Sequence, residues 1–118
     1  MKVNRKFEGI WIPAMVWESK ELSTMEKLFL VEINSLDNDE GCFASNGYFS
    51  GFFQLSKNRC TEIIKSLEKK EFISVELHRE GKRIVKRVLR VLPIRKTEYY
   101  LFGKPNNPIR KTVKIIIQ

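Results

Sequence analysis

The stretch LSKNRCTEIIKSLEKKEFI, residues 55–73, crowds several kinds of hydrogen-bonding side chain into one short segment. Lys57 and Arg59 carry the cationic donors that match the O6 and N7 acceptors of guanine, and Asn58 carries the carboxamide that pairs bidentately with adenine. Glu62 offers a carboxylate that accepts from the N4 amine of cytosine, while Thr61 and Lys65 add a hydroxyl and a further ammonium. This is chemistry of recognition, not of bond making. No nucleophile stands beside a base, and no glycine-rich phosphate loop or carboxylate pair stands out, so neither catalysis nor a cofactor is expected. An ordinary solvated helical turn has a similar composition, so the elements that position these residues decide between the two readings.

Ser56 is a good N-cap, with a helix from Lys57 to about Lys70 behind it. Cys60, Ile63, Ile64 and Leu67 fall at i, i+3, i+4 and i+7, one apolar face of a helical repeat. That face turns Lys57, Asn58, Thr61, Glu62 and Lys65 outward, with Arg59 at the border and within reach of a phosphate. Glu62 reads a base, pairs with Lys65 or is simply exposed. Upstream, Ser45 or Asn46 caps a helix of about eight residues whose buried side is Tyr48, Phe49, Phe52 and Phe53. Further upstream, Ser23 and Glu26 form a capping box for a longer helix with an apolar stripe of Met25, Leu28, Phe29, Val31, Ile33 and Leu36. That helix ends in the polar cluster DNDEG. The cluster is not a calcium loop: Gly41 comes one position early, and the twelfth position from Asp37 is Tyr48 where glutamate is needed. At the start, Phe7–Pro13 reads as a short strand. Trp11 and Trp17 are expected as lids on the core or as partner contacts.

Downstream, FISVEL and RIVKRVLRVL flank HREGKR and read as a β-hairpin. A turn centred on Glu80-Gly81 predicts Leu77 opposite Ile84 and Ile73 opposite Val88, on the buried face. Arg79, Lys82 and Arg83 cluster at its tip, and Lys86, Arg87 and Arg90 continue along the second strand. Two short helices joined by a tight turn, a third before them and a basic hairpin after them define the expected fold class. It is α+β, a winged helix-turn-helix with a three-helix core and a basic C-terminal β-hairpin wing. The expected domain is 1–92. Residues 93–118 are expected as a basic tail, extended or partly disordered, in which PIRKT occurs at Pro93–Thr97 and again at Pro108–Thr112, and VKIIIQ is a candidate edge strand.

The totals agree with one domain. The 118 residues are 42% apolar and include eight Phe and two Trp, enough for one core. No apolar run approaches the roughly 18 residues of a membrane span, and the basic N-terminus has no apolar h-region. Cys42 and Cys60 have neither CxxC spacing nor clustered histidines, so zinc is not expected; their spacing permits a bridge, but buried thiols in a reducing cytoplasm are the expectation. His78 has no partner in sequence and reads as structural or solvent-facing. The charge is polarised. Residues 1–40 hold five Lys/Arg and eight Asp/Glu, whereas residues 57–118 hold seventeen Lys/Arg and six Asp/Glu, within a net of +8 for the chain. A basic half suggests a polyanionic partner, nucleic acid before anionic membrane.

FASNGYFSGFFQLSKNRCTEIIKSLEKKEFISV resembles the helix-turn-helix domain near the N-terminus of replication proteins (replisome organisers) of Gram-positive phages and mobile elements. The lead-in from Ile10 to Lys27 and the PIRKT units are similar to that family too, so the resemblance covers about residues 9–112. It implies sequence-specific binding of double-stranded DNA in replication initiation, with host or phage replication proteins as further partners and a homodimer as one assembly. The chain has no obvious helicase- or primase-like domain, so such a role needs a longer parent protein or recruited partners. A transcriptional regulator on the same fold is the first alternative. A protein-interaction module using Trp11, Trp17, Tyr99 and Tyr100 is the second. The candidate DNA contacts are Asn46, Ser56, Lys57, Asn58, Arg59, Thr61, Glu62, Lys65, Arg79, Lys82, Arg83, Lys86 and Arg87. Two positions depart from the family's pattern: Gln54 and Glu71 stand at helix ends where glycine is common and positive φ is expected.

Overall fold

The computed structural model describes residues 8–92 and the backbone of residues 112–115. Along the chain run β1 (Ile10–Pro13), a single helical turn α1 (Ala14–Trp17), α2 (Thr24–Leu36), α3 (Asn46–Phe53), α4 (Lys57–Lys69), β2 (Ile73–Glu80), β3 (Arg83–Val91) and β4 (Thr112–Ile115). Among the described residues no helix is long and apolar enough to cross a membrane.

Local chemistry starts each main helix. Ser23 Oγ accepts from the Glu26 amide while the Glu26 carboxylate accepts from the Ser23 amide, so the capping box of α2 closes in both directions. Ser45, not Asn46, caps α3, accepting from the Tyr48 amide at 3.1 Å, and Ser56 caps α4, accepting from the Arg59 amide at 3.1 Å. The turn between α3 and α4 is made by Gln54 in the left-handed region, with φ 58° and ψ 47°. There the Leu55 amide donates back to the Ser50 carbonyl, and the Ser50 hydroxyl donates to the Leu55 carbonyl. Glu71, after α4, also has positive φ, at 66°. Gln54→Gly is expected to stabilise the fold by about 1 kcal/mol, because relief of the left-handed strain exceeds the added freedom of the unfolded chain. An unchanged or lowered urea midpoint would refute this.

The core lies between α2, α3, α4 and the bases of the strands. Phe29 and Phe49 are fully buried, 5.3 Å apart between ring centroids, and Phe53 stacks on Phe29 at 4.5 Å. Tyr48, Phe52 and Phe53 are half-buried at the edge of this cluster. From α4, Cys60, Ile63, Ile64 and Leu67 are all buried, as their spacing predicts. Trp11 and Trp17 do not cover the core fully; each keeps 40% of its surface exposed.

Hairpin β2–β3 is in a register different from the expected one. Ile73 faces Val91 and Leu77 faces Arg87, not Val88 and Ile84, and Leu77 and Ile84, expected on the buried face, are exposed. Two causes add. The turn is Gly81-Lys82, one residue later than expected, with Gly81 at φ 62°. A bulge between His78 and Arg79 then leaves Val85 as an extra residue on β3. At its base β3 also pairs with Cys42, whose amide and carbonyl both bond Leu89 at 2.8 Å. The approach needs a glycine beside it: a Cβ on Gly41, at φ 96°, would sit 2.3 Å from Val88 Cγ1. β1 pairs antiparallel with β4, Ile10 opposite Ile115 and Pro13 opposite Thr112, so a strand from the expected tail lies beside the N-terminal strand. The first PIRKT copy, most of the second, and Tyr99 and Tyr100 lie outside the described residues.

Candidate nucleic-acid interface

The leading turn of α4 is open to solvent. Ser56, Lys57, Asn58 and Arg59 are all exposed, while the next residue, Cys60, is buried. Glu62 and Lys65 are exposed on the following turns. Arg59 and Glu62 form an exposed ion pair at 3.3 Å, so Glu62 reaches back to Arg59 and not forward to Lys65. A surface pair of this kind contributes little stability, which leaves both side chains free to exchange it for another partner.

Three of the candidate contacts hold one another. Arg87 on β3 donates from Nη1 to the Asn46 carboxamide oxygen and from Nη2 to the Ala44 carbonyl, both at 2.8 Å. The Asn46 amide nitrogen donates to the Thr61 hydroxyl at 2.8 Å, and that hydroxyl donates to the Lys57 carbonyl at 3.0 Å. Wing, first residue of α3 and first turns of α4 thus form one directional chain. Asn46, Thr61 and Arg87 are half-buried along it, and Thr61 is not a fully outward-facing residue. Burial pulls the Arg87 guanidinium below its ordinary value, while the neighbouring Cys42 and Cys60 act in the opposite direction. The two thiols are themselves pushed up by burial and are unpaired with each other.

The chain of bonds fixes where the wing stands. Beside it a groove of about 600 Å³ runs between Phe43, Ala44, Ser45 and Asn46 on one side and Ile84, Val85, Lys86 and Arg87 on the other, with Glu40 at its rim. Lys86 Nζ lies 4.5 Å from the centre of the Phe43 ring. The wing cations Arg79, Lys82, Arg83 and Lys86 are all exposed. His78 sits at the surface, 2.7 Å from Glu76.

At its other end α4 is anchored to α2. The Glu26 carboxylate accepts from Lys70 Nζ at 2.8 Å and from the Ser66 hydroxyl, and Lys70 also donates to the Glu21 carbonyl at 2.7 Å. Burial by itself pushes the Glu26 carboxyl up, but Lys70, the Ser23 amide and Ser66 together outweigh it and hold the group at about 2. Reading the sequence alone misses both anchors. Arg87 and Asn46 are 41 residues apart, Glu26 and Lys70 are 44 apart, and no local pattern links either pair.

No curated protein and no solved structure matches the chain. Residues 20–73, just under half of the chain, match the family of profiles described as a helix-turn-helix domain. The match spans α2, the paired helices α3 and α4 and the first residue of β2. Joined to the hairpin that follows α4, it makes this an α+β winged helix-turn-helix domain, a fold that points to DNA as its partner.

Proposed function

We propose that the chain binds duplex DNA in a sequence-specific way, with the start of α4 in the major groove and the wing against the backbone. One observation supports this above the others. The exposed turn Lys57-Asn58-Arg59 and the cationic wing are bonded to the same side of the molecule through Asn46, Thr61 and Arg87. In this reading Lys57, Asn58, Glu62 and Lys65 meet base edges, whereas Arg79, Lys82, Arg83 and Lys86 meet phosphates. Arg59 leaves Glu62 for a phosphate. Asn46, Thr61 and Arg87 have hydrogen bonds committed inside the protein and serve to position the rest.

Selection of bound duplexes from random sequence tests the proposal directly. Asn58→Ala is then expected to weaken the selected duplex by about 1–3 kcal/mol while leaving a scrambled duplex unchanged. Arg83→Ala is expected to weaken both equally and to flatten the log–log salt dependence by about one unit. Equal losses on both duplexes for Asn58→Ala would remove base reading from α4, and no duplex binding at low salt would sink the proposal.

The resemblance to replication proteins makes replication initiation for a phage or mobile element the process we assign. A transcriptional regulator would use the same interface. Recovered sites arranged as tandem repeats at an origin support the first, and a single site overlapping a promoter supports the second. A palindromic site would indicate a dimer.

A further inference from the structure

The wing carries more than charge. Leu77, Ile84 and Val85 keep 44%, 48% and 46% of their surfaces exposed, three large aliphatic groups on one hairpin. Scattered single exposures of this kind are ordinary, but these three lie within two steps of the ladder. Leu77 is the cross-strand partner of Arg87, and Ile84 is the partner of Arg79 two residues further along β2. Partners on an antiparallel ladder share a face, and residues two apart on one strand share it too. Leu77 and Ile84 therefore lie on the face that Arg87 turns towards Asn46, the side on which α4 presents its first turn. Val85 is the bulged residue, and Ile84 and Val85 together line the groove opposite Phe43. A bulge re-aims the side chains beside it.

Phosphates offer aliphatic groups no partner. Apolar surface on a duplex is found on the sugar walls of the minor groove and on base faces where a step is opened. The flanking Arg79, Lys82, Arg83 and Lys86 complement the phosphates bordering such a groove. We propose that Leu77, Ile84 and Val85 form an apolar wedge that enters the minor groove next to the α4 site and bends the duplex. The inference rests on the DNA-binding reading of α4 and adds a deformation that α4 does not require. It also assigns a source of specificity without base hydrogen bonds: the wedge favours pyrimidine–purine steps, which open most easily.

The test uses the full chain and the duplex recovered by selection, labelled at its two ends for resonance energy transfer. The wild-type protein is expected to bring the ends closer. Ile84→Asn and Leu77→Asn, at half-exposed positions, are expected to retain the thermal transition and the salt dependence. They should abolish the shortening and weaken binding by about tenfold. A selected site enriched in TA or CA steps on the wing side would agree. Wild-type binding without shortening, or variants that shorten the duplex as the wild type does, would overturn the wedge while leaving the α4 reading intact. Variants that bind and bend unchanged but alter the sedimentation of the free protein would also overturn it, placing the patch between two copies of the chain. Failure of the wild-type protein to bind any duplex would instead remove the reading on which the wedge rests.

Discussion

Glu26→Gln is expected to cost about 2–3 kcal/mol of stability at neutral pH, with the loss vanishing in acid. Only 7% of the Glu26 side-chain surface is exposed, and its carboxylate is held at about 2 against an ordinary 4.5. A carboxyl whose folded value lies below its unfolded value contributes fully above the unfolded value. The contribution is then lost as pH falls towards the folded value, here between about 4.5 and about 2. A shift of that size corresponds to roughly 3 kcal/mol; glutamine retains some of the hydrogen bonding and so recovers part of it. Urea unfolding of both proteins from pH 7 to pH 2 measures the difference, which should shrink across that window. A difference that stayed constant with pH would assign the cost to packing and not to the charge. The functional meaning lies in the partners. Ser66 sits on α4 and Lys70 just after its end, and Glu26 sits on the first turn of α2, so the carboxylate ties the end of α4 to the start of α2.

Arg87→Met is expected to destabilise the fold by about 2–4 kcal/mol and to weaken specific DNA binding without changing its salt slope. Methionine fills comparable space but leaves the Ala44 carbonyl and the Asn46 carboxamide oxygen without the donors that now reach them at 2.8 Å. Arg87→Lys recovers little of this, because one ammonium lacks the planar fork that spans both acceptors. A double-mutant cycle with Asn46→Ala should return a coupling of about 1–2 kcal/mol, since both residues belong to one bonded chain. The salt slope separates positioning from contact. Loss of a phosphate contact lowers the slope by about one, as expected for Arg83→Ala, whereas loss of a positioning residue lowers affinity at every salt concentration alike. A stable Arg87→Met protein with a reduced slope would place Arg87 on the DNA.

Two anchors hold α4, one at each end. The Glu26 cluster holds the end of α4, and the Arg87 chain holds its start against the wing. Between them the apolar face of Cys60, Ile63, Ile64 and Leu67 is packed on the core, so α4 is held along its whole length. On the proposed DNA-binding reading, substitutions at Glu26 and Arg87 are expected to reach DNA affinity from a buried and a half-buried position.

Much of what depends on neighbours along the chain was legible in the residues. Ser23 with Glu26 and Ser56 mark helix starts because each cap bonds an amide three residues away, while for α3 the sequence offered Ser45 or Asn46 and the bond to the Tyr48 amide chose Ser45. The spacing of Cys60, Ile63, Ile64 and Leu67 marks the buried face of α4 because a helix has a fixed period. Gln54 and Glu71 adopt the positive φ that their places at helix ends demand. The order of elements, and with it the winged helix-turn-helix class, follows from these local signals. The hairpin register required the fold itself. A two-residue turn and one bulged residue shift the pairing by three positions, which exchanges the faces of β3, and its adjacent apolar pairs Ile84-Val85, Val88-Leu89 and Val91-Leu92 suit either face. The bonding of Asn46, Thr61 and Arg87 to one another was equally hidden, since an exposed side chain and an internally bonded one are the same residue type. Sequence by itself determined which surfaces are apolar and which helices are capped, because those forces act over a few residues. Tertiary structure alone decided which long-range polar pairs form, because partners 40 or more residues apart meet only after the core has packed.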